Sequence, residues 1–325
     1  MLIVALLVTL FAGTIGIPVN QVGGLHDQAF VDRINAKQTT WTAEFFERFA
    51  TPEARQEVLG VSGVTEVPAE FSLDDFDIAD DEIPEFFDAR QKWPECKSIG
   101  HIHDQSTCGS CWAVSSAAAM SDRICIASNG TSKVYISADD LMECSNYCPA
   151  GCKGCNPWNA MRTWKQFGLV TGGDHNSKIG CKPYPLPTHN KPMLPGCVRK
   201  CRNGYETPYE DDKHYALKQY DVRGNKKWQK DIMTNGPGVV MFTAEGDFFH
   251  YKKGVYSHGT GHSPANHAVK ILGWGVEDGI PYWLCANSWS SHWGDHGFFK
   301  IRRGNNDCGI ERNNLIIGLP KIVRK

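Results

Sequence analysis

The chain opens on an uncharged apolar run at residues 2–13, Leu-Ile-Val-Ala-Leu-Leu-Val-Thr-Leu-Phe-Ala-Gly, followed by small residues near Gly16. Crossing a bilayer takes about 20 such residues. The run therefore has the length of a secretory signal peptide, assigned to residues 1–17, with a buried N-terminal core helix as the competing reading. Apolar side chains return at helical spacing between Phe30 and Phe49, through Ile34, Trp41, Phe45 and Phe46, and predict a small folded unit. After Ser110 the sequence is alanine-rich and free of Gly and Pro as far as Gly130, which predicts a helix starting near Ser110. Two later runs read as strands: the apolar run headed by His267 in Asn266-His-Ala-Val-Lys-Ile-Leu-Gly-Trp-Gly275, ended by glycine, and Tyr282-Trp-Leu-Cys-Ala-Asn-Ser-Trp289.

At 325 residues the chain is long enough for about two domains, or for one large domain with removable segments. Its 34 basic and 36 acidic residues leave a net charge of −2, which gives no global field to hold nucleic acid or an anionic membrane. The charge is unevenly spread. Residues 18–82 carry 4 basic and 14 acidic residues and no Cys, whereas residues 83–325 carry 30 basic and 22 acidic residues and all 13 cysteines. Such an asymmetry describes two pieces that attract each other at neutral pH and less so as carboxylates protonate; a solvated acidic linker is the alternative. No other uncharged stretch approaches spanning length, so a soluble protein of a secretory, lysosomal or extracellular space is expected, where disulfides are the default fate of cysteine. The odd count then leaves at least one thiol unpaired.

One thiol stands out, in Gln105-Ser-Thr-Cys108-Gly109-Ser110-Cys111-Trp112-Ala113. Cys111 falls in the first turn of the predicted helix, where unpaired N–H groups and the positive end of the dipole favour a thiolate. Cys108 and Cys111 also form a C-x-x-C that a redox or zinc site would use, although the compartment argues against it. A thiolate nucleophile needs an imidazole and a group to orient it. Of 12 histidines, His267 heads one strand-like run, while Asn287 of the other can accept from an imidazole nitrogen, with Trp289 of the same run as a shield against water.

These segments resemble the papain-like cysteine proteases, and most closely the cathepsin B branch. The resemblance covers nearly the whole chain, through Ile34-Asn-Ala-Lys-Gln-Thr-Thr-Trp41, Ile83-Pro-Glu-Phe-Phe-Asp-Ala-Arg90, Ser121-Asp-Arg-Ile-Cys125, Asp212-Lys-His-Tyr215, Asn235-Gly-Pro237 and Cys308-Gly-Ile-Glu311, in that order. It implies an α+β fold, with a mainly helical left domain at about 96–217 and a β-barrel right domain at about 218–325. It also implies an inhibitory propeptide at 18–82, removed near Glu82 to leave 83–325 as the mature peptidase. Cys111 becomes the nucleophile, His267 its acid/base partner, Asn287 the orienter, and Gln105 an oxyanion donor together with the Cys111 backbone N–H. His267 and Asn287 stand 156 and 176 residues after Cys111, beyond the ~130 to 150 usual for the family; the cysteine-rich insertion at 144–201 accounts for the excess. In the family such a nucleophile has a pKa of ~3 to 4 and forms an ion pair with its histidine.

The resemblance further implies the bridges Cys96–Cys125, Cys108–Cys152, Cys144–Cys197 and Cys181–Cys201. Ser145 replaces a family cysteine while a new one appears at 155, so a bridge Cys148–Cys155 is expected, with Cys285 and Cys308 as buried free thiols. Zinc held by Cys144, Cys148, Cys152 and Cys155 is the alternative, which the compartment disfavours; no metal and no cofactor is expected. Gly154 and Cys155 stand where the family pairs its backbone with substrate, and Ala268, Trp289 and Asn313 are further expected substrate contacts. The occluding-loop equivalent, 181–197, is short, carries five prolines and keeps one histidine, His189, as a carboxylate contact. Endopeptidase activity is therefore expected to outweigh dipeptide release. Arg312, Asn313 or Asn314 occupies the position of a family glutamate that accepts Arg at P2, so an apolar P2 is favoured. The sequon Asn129-Gly-Thr131 is an expected acceptor for a glycan, and the implied partners are protein and peptide substrates, the chain's own propeptide and cystatin-type inhibitors of a monomer. Two other readings compete. A catalytically dead binding homologue would be marked by loss of Cys111, His267, Asn287 or Gln105, all present here, and a metal-binding cysteine-rich module leaves the order of the motifs unexplained.

Overall fold

A computed structural model describes residues 25–62, 83–187, 194, 196–258 and 265–322. The assigned signal peptide, the acidic cluster at 74–82 and His189 lie outside the described residues.

Segment 25–62 folds as a unit. Asp27 caps helix α1 (Gln28–Lys37) by accepting the Phe30 N–H at 2.8 Å. The helical spacing predicted as far as Phe49 does not persist, because the chain leaves α1 at Gln38 in an extended conformation and enters strand β1 (Trp41–Ala43). Asn35 fixes that turn by bonding both the N–H and the C=O of Ala43, at 2.8 and 3.0 Å. A short 3-10 turn follows, and then helix α2 (Pro52–Glu57), started by a Thr51 cap and a proline in its first turn.

Strand β2 (Phe87–Asp88) and helix α3 (Ala89–Lys92) open the remainder. The helical half contains α4 (Cys111–Ala127), α5 (Ala138–Cys144) and α6 (Pro157–Phe167). Fifteen successive residues of α4, from Cys111 to Cys125, are buried, so this helix is the centre of the domain rather than its surface. The second half consists of β3 (Ala216–Val222), α7 (Asn225–Asn235), β4 (Gly238–Phe242), β5 (Tyr251–Tyr256), β6 (His267–Glu277), β7 (Ile280–Ala286), β8 (Phe298–Arg302) and β9 (Leu315–Pro320). Asp278 and Gly279, both with positive φ, turn β6 tightly into β7, the backbone that a two-residue hairpin demands.

The strands form one sheet in the order β1-β5-β8-β7-β6-β4-β9-β3, with β2 on β6. The expected barrel does not close: among the described residues β3 is one end of the sheet, and β1 occupies the other by pairing antiparallel with β5. The sheet-side core mixes the two pieces, Phe30, Ile34, Trp41 and Phe49 packing with Phe248, Phe249, Tyr251 and Trp289. Five disulfides join Cys96–Cys125, Cys108–Cys152, Cys144–Cys197, Cys148–Cys155 and Cys181–Cys201, and Cys111, Cys285 and Cys308 are free and buried. The four clustered cysteines considered for zinc are thus all in bridges.

Candidate active site

Cys111 is the first residue of α4, and the preceding Ser110 makes no side-chain cap. The first-turn N–H groups therefore lack that partner and are directed at the thiol's neighbourhood. His267 begins β6 and Asn287 directly follows β7, which is paired with β6, so two neighbouring strands bring both residues to one end of the sheet. The tautomer follows from the hydrogen bonds. Asn287 Oδ1 accepts the Ser288 N–H at 2.9 Å, so it is the oxygen, and His267 Nε2, 2.8 Å from it, must be the donor. His267 Nδ1 then carries a lone pair and, although buried, has no hydrogen-bond partner.

Burial disfavours charge on both groups. Burial pushes the Cys111 thiol up to about 11, outweighing opposing interactions with the backbone of Ala268, Gly60 and Trp112. Burial also holds His267 down at about 4, against the Asn287 bond that raises it. Burial thus works against the charged forms of both members of the thiolate–imidazolium pair that the resemblance implies.

Gln105 is fully buried six residues before Cys111. Its Nε2 donates to the carbonyls of Cys108 at 2.7 Å and Val58 at 2.8 Å, and Ser288 Oγ donates to its Oε1 at 2.6 Å. The site thus already holds a carbonyl oxygen, that of Val58, on an amide donor.

The chain continues from Val58 along the cleft. Gly60 and Val61 both donate to the Asn266 carbonyl at 3.1 Å on one rim. On the other rim the Cys155 N–H donates to the Gly60 carbonyl at 3.0 Å, and the Ser62 N–H donates to the Cys155 carbonyl at 3.3 Å. Glycine is required at this crossing: a Cβ on Gly60 would lie 1.9 Å from the Gly109 oxygen. Cys155 therefore keeps both of its backbone bonds while its sulfur bridges to Cys148, away from the cleft. Arg48 anchors the segment further along, paired with Asp104 at 3.1 Å and donating to the Ser106 carbonyl at 2.6 Å. Glu44 pairs with Lys252 at 2.6 Å. At the far end His26 Nδ1 lies 3.0 Å from His250 Nε2, with Phe30 stacked on His26 and Phe45 stacked on His250. Burial, and then the neighbouring His26, hold His250 down at about 3.

Trp289 stacks on His267 at 4.7 Å and on Phe249 at 4.9 Å, and meets Phe49 of the covering segment at 4.9 Å. Ala268 is fully buried beside Cys111. Of the three residues considered for the P2 pocket, Asn313 faces inward, its amide donating to Met241 and Gly309 carbonyls at 3.0 and 2.9 Å; Arg312 is exposed and Asn314 bonds Asp221. Asn129 is exposed just past the end of α4 with a positive φ. A cavity of about 910 Å³ lies between residues 45–49 and the Trp289–Trp293 rim. Sequence reasoning missed Val58, Gly60, Arg48 and the His26–His250 pair. Only Arg48 left a trace, as one of four basic residues in an acidic segment.

Comparison with known proteins adds to this geometry. Residues 83–317 match the family model described as papain family cysteine protease. The cathepsin B-like cysteine proteinase 6 of Caenorhabditis elegans is 41% identical over 325 residues, covering 93% of this chain and 86% of the relative. The cathepsin B-like cysteine proteinase 1 of Ostertagia ostertagi is 49% identical over 245 residues, 71% of this chain and 72% of the relative. Among solved structures, procathepsin B S9 from Trypanosoma congolense superposes with a TM-score of 0.76 at 33% identity, covering 91% of this chain and 99% of that one.

Proposed function

The chain belongs to the papain family of cysteine proteases, and on that premise we propose that it is the zymogen of an endopeptidase whose chemistry is carried by Cys111 and His267. The observation that carries the proposal is the fixed tautomer: His267 keeps a bare, buried Nδ1, while Asn287 holds Nε2–H. With the cleft uncovered, Nδ1 takes the Cys111 proton and the thiolate attacks the substrate carbonyl carbon. The oxygen, now negative, is held by Gln105 Nε2 in the place that the Val58 carbonyl occupies. Collapse expels the amine with a proton from His267 and leaves a thioester. Water, deprotonated by His267, then releases the acid and restores the thiol.

Residues 18–82 are the inhibitor in this reading, and 83–325 are the enzyme. Val58 and Gly60 block the site with main-chain groups, an occupancy that competes with any peptide. The shortened 181–197 stretch supports cleavage within chains over dipeptide release. Asn313, with no carboxylate, supports apolar side chains at P2. A Phe-Arg fluorogenic substrate is expected to be cut faster than Arg-Arg, and the reverse order would remove this part of the reading. A secreted or lysosomal location follows from the assigned signal peptide and the disulfides, and no helix among the described residues is long and apolar enough to cross a membrane.

Acid should open the protein. His250 and His267 are both held below the ordinary histidine value of about 6.5, at about 3 and about 4. A depressed histidine contributes to the covered state fully above 6.5, and that contribution is lost as pH falls from 6.5 through its folded value. Arg55, near His250, adds to the cost of charging it, while Asp247 reduces it. A thiol-reactive epoxide added to purified proenzyme is expected to label Cys111 only after acidification, as the 25–62 segment comes away. Labelling confined to Cys285 or Cys308 would refute the reading.

A further inference from the structure

Outside the catalytic cleft, two histidines and an aspartate from separate parts of the chain converge. His101 and His103 follow the 3-10 turn at Lys97–Gly100, and their rings meet edge to face with centroids 4.5 Å apart. Asp174 comes from the loop after α6. His101 Nε2 lies 2.7 Å from Asp174 Oδ2, and His103 Nδ1 lies 2.8 Å from Oδ1. The three prospective ligand atoms all fall within 4.8 Å of one another. The side chains of His101, His103 and Asp174 are 33%, 21% and 44% exposed, so an ion can enter from solvent. Lys270, a fixed cation that acts on His103, is already neutralised by Asp122 at 2.8 Å and bonded to the Ser98 and Ile99 carbonyls.

We propose that His101 Nε2, His103 Nδ1 and an Asp174 carboxylate oxygen form a binding site for one divalent transition-metal ion of the zinc class. Two imidazoles and a carboxylate with a side open to water are a donor set that such borderline ions take in preference to calcium or magnesium, which favour oxygen. Zinc bonds of about 2.0–2.2 Å place tetrahedral ligand atoms about 3.4 Å apart. Entry of the ion therefore opens the two nitrogen–oxygen contacts by about half an ångström and draws the imidazoles together, a movement of side chains alone. In the ion-free state these two nitrogens donate to the carboxylate, so binding requires each ring to give up that proton and to carry its one remaining proton on the other nitrogen. The ion ties the 101–103 segment to the loop carrying Asp174, and both Ile102 and Asp174 line the cavity beside the cleft. The site is thus a clamp on the rim, two residues before Gln105.

The test uses full-length Cys111→Ala proenzyme, which removes the catalytic thiol as a competing ligand. Zinc chloride is titrated at pH 7 by calorimetry, with thermal melting in parallel. One zinc per chain, and a melting temperature that rises with zinc and saturates, are expected. His101→Ala and Asp174→Asn in the same background should each weaken zinc binding at least tenfold. Magnesium should give no shift. No saturable binding, or the same affinity in both variants, overturns the proposal. Should His101→Ala fail to fold, Asp174→Asn decides alone, since unchanged affinity there is incompatible with the assigned ligand.

Discussion

Cys111→Ala is expected to abolish peptide hydrolysis, lowering kcat by at least about 10⁴-fold, the scale seen when a nucleophile is removed from a covalent mechanism. Alanine at the first position of α4 keeps the helix, and the deleted sulfur bonds no other cysteine, so the proenzyme should fold and melt within a few degrees of the parent. Loss of turnover with an intact fold separates chemistry from stability. His267→Ala should reach a similar floor, and the double variant should fall little further, because thiol and imidazole act as one unit. More than one per cent residual activity in Cys111→Ala, with the same substrate preference, would mean that another group performs the attack.

The second large effect concerns Gln105→Ala, for which a loss of about 10² to 10³ in kcat is expected with KM little changed, as for removal of an oxyanion donor. The amide is unusually well held, with Ser288 Oγ fixing Oε1 and two carbonyls fixing Nε2. That rigidity is what allows it to meet a developing negative charge without reorganising. In the proenzyme the same substitution strips the Val58 carbonyl of its donor, so the covering segment should release at a higher pH than in the parent. A variant that loses activity through KM alone would make Gln105 a substrate-binding residue instead.

How much of this was legible depends on which atoms carry the information. The roles proposed for Cys111, His267, Asn287 and Gln105 rest on side chains, so residue type and position in a helix or strand expose them, and the neighbouring β6 and β7 needed only two apolar runs. The covering segment works through main-chain carbonyls and N–H groups at Val58, Gly60 and Ser62, which any sequence possesses. The burial that opposes charge on Cys111 and His267 was equally hidden, because it is a property of the folded chain and of no local motif. The open sheet has the same origin: β1, at the edge of β5, is three residues whose pairing is decided by the fold of 25–62 as a whole. Asp174 lies more than 70 residues from His101 and His103, so no local spacing brings the three together.

Phe30, Ile34, Trp41 and Phe49 were described as part of one apolar core with Phe248, Phe249 and Trp289. Under the proposed processing, that core is assembled by a longer chain than the one that persists. The finished enzyme keeps the shape but no longer owns all the side chains around which the shape condensed. Its durability is then a matter of how slowly it unfolds rather than how far equilibrium favours the fold. Each molecule is a metastable object with a lifetime, and once denatured it lacks part of the instruction for its own return.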